Sequence, residues 1–310
     1  MLLGVSFGGS ATLGDLVHPG SQGREILLTY RLPRVLLGAV AGAGLAGVGA
    51  CFQAVLRNPL AEPYILGVSG GAALGATVAT VCGLAAGTLL GAAGVPAAAF
   101  VGGLLATGIV WTLVREGRGE GTSILLAGVV VNAMAGACIT VIEAVARPGE
   151  VQSILWWLMG FLDQPLSAQQ LAFLAVYVAA GLAVLLADAA RMNLLALGDE
   201  PATTLGVDVP ALERRVFFAS AAVVGAVVSL TGLIGFVGLL VPHGVRRIIG
   251  PDLRSVLPAS ALAGGATLVA CDLVVRLLAR YLLHQEVPVG ALTALAGGPL
   301  FLAVMRRRRD

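Results

Sequence analysis

The chain is 310 residues long, 58% hydrophobic and 12% charged, with a mean hydropathy of +0.94 and a formal net charge of +2. A soluble domain carries about 25% charged residues, so this chain has too few charges to solvate a water-soluble surface of its size. All 19 basic residues are arginine. Without lysine there is no Walker A loop and no Schiff-base chemistry, so any nucleotide that powers this protein is hydrolysed by another chain.

About 20 apolar residues cross a bilayer as a helix. Nine runs qualify in chain order: 35–56, 64–84, 95–114, 123–145, 171–187, 216–235, 236–248, 256–280 and 288–305. The run 236–248 is short and holds Pro242, which predicts a broken or partial span. Such a break is tolerated at membrane depth only where protein or a cavity shields the backbone. If Arg306–Arg309 are cytoplasmic, alternation places 13 arginines inside and six outside. The positive-inside rule favours that orientation. Nine spans then put Met1 outside; residues 1–9 are mildly apolar but too short to span, and no basic n-region marks a signal peptide.

Two connections carry more than a hairpin needs. Segment 188–215 holds Asp188, Asp199, Glu200, Asp208 and Glu213 among its arginines. Pro201 predicts a short helix there, with Asp199 and Glu200 at its favourable N-terminal end. Segment 146–170 holds Trp156 and Trp157, which predict an interfacial helix at the outer face.

Several motifs stay open on physical grounds alone. Gly38 and Gly42 in the first run, and Gly67, Gly70, Gly71 and Gly75 in the second, read first as close helix packing and second as part of a moving gate. The segment Arg57-Asn58-Pro59-Leu60-Ala61-Glu62-Pro63 cannot continue a helix, and reads equally as a tight connection or a gate loop. Arg31, Arg34, Arg276 and Arg280 at the outer ends of spans either snorkel to headgroups or dock an acidic partner. Asp272 and Arg276, one turn apart, can pair within their helix. Glu143 lies near the outer end of its span, so a midplane proton relay is a weak reading. Cys51, Cys82, Cys138 and Cys271 show no CxxC spacing, and His18, His243 and His284 are far apart. Neither a disulfide framework nor a metal or cofactor site is indicated.

Taken together, the motifs resemble a known family. Arg31-Leu32-Pro33-Arg34, Gln53, the segment 57–63, Leu66-Gly67-Val68-Ser69-Gly70-Gly71, Leu125–Val129, Trp157-Leu158-Met159-Gly160, Leu197–Glu200, Leu205-Gly206-Val207, Gly235–His243 and Pro288-Val289-Gly290 occur in order. They are similar to the iron-siderophore, haem and cobalamin permeases of ABC importers. The resemblance runs from about residue 30 to 305.

That resemblance implies an all-α polytopic fold of the type II ABC importer permease class, as a single membrane domain over residues 1–310. It implies ten spans where nine are visible, with residues 1–30 left as a remnant of the first helix plus an outer loop. Arg31, Arg34 and Arg276 would meet acidic residues of an external substrate-binding protein. Asn58, Leu60, Thr122 and Ser123 would form a cytoplasmic gate. Gly198, Asp199, Glu200, Ala202, Leu205 and Gly206, in the cytoplasmic loop 188–215, would rest on an ATPase. Spans 123–145 and 288–305 would line the pathway.

The implied partners are a second copy of the chain, two cytoplasmic ATP-binding subunits, the binding protein, the lipid bilayer and a metal chelate or corrinoid. Nucleic acid is not among them. The protein would be a transporter subunit of a bacterial or archaeal cytoplasmic membrane, not itself an enzyme. Two other readings compete: a self-contained ion-coupled carrier or channel, and a structural anchor. Carriers tend to place ionisable groups at midplane, and few are available here. An anchor requires neither a long cytoplasmic loop nor an outer arginine set.

Overall fold

A computed structural model describes residues 22–84, 93–116, 121–163, 166–285 and 287–306. Among them every regular element is a helix, and each of the nine predicted runs contains one.

The first helix, α1, runs unbroken from Gln22 to Val55, starting well before the predicted residue 35. Pro33 does not begin it. A proline inside a helix lacks its N–H and presses on the carbonyl four residues back, here Thr29. The backbone widens into a π-turn over Ile26–Arg31, with the Leu32 amide donating to the Leu27 carbonyl. That wider turn lets the helix pass the proline. Residues 22–30, expected as outer loop, are therefore helical. The rest of the expected remnant, residues 1–21, lies outside the described residues.

The second run is interrupted. A 3₁₀ turn at Pro63–Leu66 ends at Gly67, whose φ of 80° is left-handed, and α2 follows at Val68–Val81. Fourteen residues of helix rise about 21 Å, short of the ~30 Å apolar thickness of a bilayer. Next come α3 (Gly94–Glu116), α4 (Gly121–Val145) and α5 (Pro148–Met159). α5 is the expected short helix with Trp156 and Trp157, and Trp156 packs on Phe161 at 4.8 Å.

Then come α6 (Ala168–Ala187), α7 (Ala189–Leu195) and α8 (Asp199–Thr204). The next helix, α9 (Val209–Thr231), starts seven residues before the predicted 216. Asp208 caps it, accepting from the Ala211 amide at 3.1 Å. The loop 188–215 is thus two short helices plus the first turns of a long one. After a non-helical stretch at 232–236 come α10 (Val237–Ile249), with Pro242 inside it, α11 (Leu253–Leu278) and α12 (Val289–Arg306). At 13 residues α10 is the partial span its composition predicted. α11 continues through a second π-turn to Leu283.

Among the described residues, six helices are long and apolar enough to cross a membrane: α1, α3, α4, α6, α9 and α11. α1 is the central one, with 78% of its most apolar window buried. Glycine makes that possible. Gly42 of α1 and Gly264 of α11 lie so close that a Cβ on either would overlap the other's carbonyl group. Gly71 of α2 meets Gly102 of α3 in the same way, and a Cβ on Gly49 of α1 would overlap the Gly238 carbonyl of α10. Lipid supplies no hydrophobic force between helices, so such backbone contact is what holds them. The outer surfaces are apolar instead, as with Leu126 and Met134 of α4 and Leu295 of α12, all more than 60% exposed.

Candidate functional site

Three clusters of polar groups interrupt this apolar bundle: one at each end and one inside it.

The first lies at the α1 end that carries Arg31 and Arg34. The antiparallel packing of α1 on α11 brings Arg34 to Asp272, Nε to Oδ1 at 2.8 Å. The other oxygen of Asp272 faces Arg276 Nε at 3.0 Å, the pairing within α11 that the spacing predicts. Arg34 also reaches Asp163, just beyond α5, at 3.0 Å. Asp272 is 1% exposed, whereas Arg31, Arg34 and Arg276 are each under 10% and Asp163 is 56%. Arg31 is within electrostatic reach of Arg276, so the three predicted docking arginines come together, largely inside the fold rather than spread over it. Asp272 is expected from sequence as a partner of Arg276; its second arginine and Asp163 are not.

The second cluster lies where the two non-helical stretches meet. The Asn58 side chain accepts from the Leu60 amide at 3.0 Å, and the Ala61 amide donates to the Asn58 carbonyl. That makes 58–61 a compact turn of the kind asparagine favours. Beyond it the Glu62 carboxylate accepts from the Phe236 amide, and the Tyr64 hydroxyl accepts from the Ile234 amide, both at 2.8 Å. Phe236 has a φ of 68° and precedes α10. Glu62 therefore satisfies an orphan N–H at a helix start and adds favourable negative charge there.

Asn132 of α4 closes the same region. Its Nδ2 donates to the Tyr64 carbonyl and its Oδ1 accepts from the Gly70 amide, each at 3.0 Å. These bonds give broken backbone inside the bundle the partners it needs. Glu62, Tyr64 and Asn132 are absent from the predicted site. Glu62 had a signal, as a carboxylate between two prolines in an apolar chain. Asn132 had a weaker one, as a single amide in an apolar span.

Thr122 and Ser123, the other two predicted gate residues, begin α4. Their side chains lie outside the described residues.

The third cluster is at the arginine-rich end. Gly198, with a φ of 121°, starts α8, whose first turn holds Asp199 and Glu200 as predicted. Ala202 is fully buried, Leu205 is 57% exposed, and Gly206 ends the element with a φ of 85°. Beside α8, Asp188 joins α7 to α9: it is 4% exposed and pairs with Arg191 and with Arg215 at 3.0 Å. Asn193 fixes the base of α11, donating to Asp252 and accepting from the Leu253 amide. The result is a firm platform with an apolar residue at its edge.

Known proteins resemble this chain in sequence and fold. A family model described as the FecCD transport family matches residues 1–307. The chain is 45% identical to the cobalamin import system permease protein of Halobacterium salinarum, over 91% of this chain and 74% of that one. It is 40% identical to the hemin transport system permease protein of Yersinia pestis, covering 92% and 84%. A Bacillus subtilis Fe(3+)-citrate import system permease protein is 36% identical, covering 95% and 85%. Among solved structures, an inward-facing one assigned to the metal-chelate type of ABC transporter aligns with a TM-score of 0.84 at 30% identity, covering 97% and 93%. The Streptococcus pneumoniae PsaBC structure, at 16% identity and a TM-score of 0.57, shares the fold.

Proposed function

The chain belongs to the FecCD transport family, and on that premise we propose that its cargo is a bulky metal complex: an iron chelate, haem or cobalamin. It is a multi-pass membrane protein and the permease subunit of an ABC importer, working with ATPase and binding-protein subunits. The observation that carries the cargo class is what the relatives have in common. At 36–45% identity they import cobalamin, hemin and ferric citrate, all metals already wrapped in organic ligands. A pathway walled by alanine, glycine, valine and leucine suits such cargo, because it offers a complexed metal little to hold on to.

In this reading the whole chain is one membrane domain of a bacterial or archaeal cytoplasmic membrane. Two copies pair around a shared pathway lined by α4 and α12, and two ATP-binding subunits carry all the hydrolysis. Arg31, Arg34 and Arg276 receive the binding protein outside. Asn58 and Leu60, with Thr122 and Ser123, close the cytoplasmic end. Gly198, Asp199, Glu200, Ala202, Leu205 and Gly206 rest on the ATPase. ATP binding draws the ATPase subunits together, and the two permeases rock about the pathway. The glycine-to-glycine contacts favour movement of helices as packed units.

The test is uptake in proteoliposomes holding the permease, its ATPase and its binding protein. Each cargo class is offered separately, and ATP-dependent uptake of one of them is expected. Uptake of free metal ions in preference to every complexed form would overturn the cargo class.

A further inference from the structure

Arg57 has no place in the gate or the coupling loop as described so far, yet it touches both. It directly precedes Asn58, and its Nη2 lies 3.1 Å from Asp199 Oδ1 in the first turn of α8. Its φ of 48° is left-handed, uncommon for a residue with a side chain. That backbone ends α1 and turns the chain into the compact 58–61 turn. On the other side, a Cβ on Gly198 would sit only 3.9 Å from Arg57 Nη1. The left-handed glycine thus delivers Asp199 to the arginine. Glu213, near the start of α9, is within electrostatic reach of both members of the pair.

We propose that the Arg57–Asp199 pair is the contact through which movement of the 198–206 segment reaches the Asn58–Leu60 turn. Arg57 is a positioning residue: it touches no cargo and acts through the turn that follows it. The two side chains are 42% and 58% exposed, so the pair adds little to stability. Its effect is to join two elements that otherwise belong to separate parts of the fold. The turn it pulls on is already rigid, closed by Asn58 at one end and tied to Phe236 by Glu62 at the other. Displacement at α8 is then passed to the gate as a whole rather than absorbed by a loose loop.

The inference rests on the reading of 198–206 as the ATPase contact, and the experiment separates the two. The readout is cargo transported per ATP hydrolysed, in proteoliposomes holding the complete importer. R57Q is expected to lower that ratio by about five-fold or more, the range of a typical coupling energy, with hydrolysis retained, and D199N lowers the ratio to a similar extent. The exchange variant R57D/D199R restores it. R57Q/D199N, with the link already broken, loses no more than either single variant, which is the signature of one shared contact.

Wild-type ratios in both single variants, or losses that multiply in the double, would overturn the proposal. Cross-linking of Thr203→Cys to the ATPase reports separately on the coupling loop. A cross-link together with multiplying losses removes the Arg57 link alone; no cross-link removes the reading beneath it.

Discussion

Arg34 and Asp272 lie 238 residues apart in the chain and 2.8 Å apart in the fold, both nearly buried. Asp272 holds two guanidiniums at once, so it sets where Arg34 and Arg276 stand. A buried ion pair adds little net stability, but removing one partner strands the other's charge, at a cost of about 3–5 kcal/mol. Asp272→Ala is therefore expected to lower the unfolding temperature sharply in detergent. Asp163→Asn, at an exposed partner of Arg34, changes stability by less than about 1 kcal/mol. Equal losses in the two variants would contradict this account of the cluster.

The same arginines are proposed to receive the binding protein. Charge reversal at Arg31 is expected to slow association by about ten-fold at low salt, with a weaker salt dependence than wild type. ATPase assembly on the opposite face is retained. Arg34 is a poorer probe, since its reversal would place a carboxylate against Asp272. Unchanged association kinetics for Arg31→Glu would place docking elsewhere.

Close helix contact makes its own prediction. A methyl group added at Gly42 or Gly264 meets the carbonyl of the facing helix, and overpacking of this kind costs about 1–3 kcal/mol. Gly108→Ala, in α3 with open space around it, is neutral or slightly stabilising. Thermal unfolding of the three alanine variants checks the order. A neutral Gly42→Ala would mean that α1 and α11 are not held by backbone contact.

Glu62 ties the gate turn to the start of α10. Glu62→Ala leaves the Phe236 amide without its acceptor inside the bundle, worth about 1–3 kcal/mol. Glu62→Gln keeps an acceptor oxygen and recovers most of that loss. Stability and transport measured on both variants separate the hydrogen bond from the charge. Full transport in Glu62→Ala would show that the tie between 62 and 236 is dispensable.

Much of this architecture was legible in the residues, for reasons that can be named. Apolar runs located every long helix, because a bilayer leaves the backbone few alternatives. Pro201 and the acids before it located α8. The i to i+4 spacing located the Asp272–Arg276 pair. What escaped was set by tertiary contact. Residues 22–30 read as outer loop, and only the π-turn at 26–31 shows how the helix passes Pro33. The start of α9 at 209 was hidden because Glu213, Arg214 and Arg215 read as loop, while Arg215 in fact anchors to Asp188. Likewise, no spacing rule links Arg34 to Asp272 or Glu62 to Phe236. Those contacts follow from which helices cross, and glycine positions such as 42 and 264 decide that only once the partners are known.

The central claim is that this chain moves its cargo only when ATP-hydrolysing subunits drive it. The most direct measurement is uptake of the identified metal complex into proteoliposomes containing the purified chain, with and without its ATP-binding subunits, at matched ion gradients. The account predicts uptake above background only when the ATP-binding subunits, the binding protein and ATP are all present. Concentrative uptake by the chain alone, driven by an ion gradient, would contradict it.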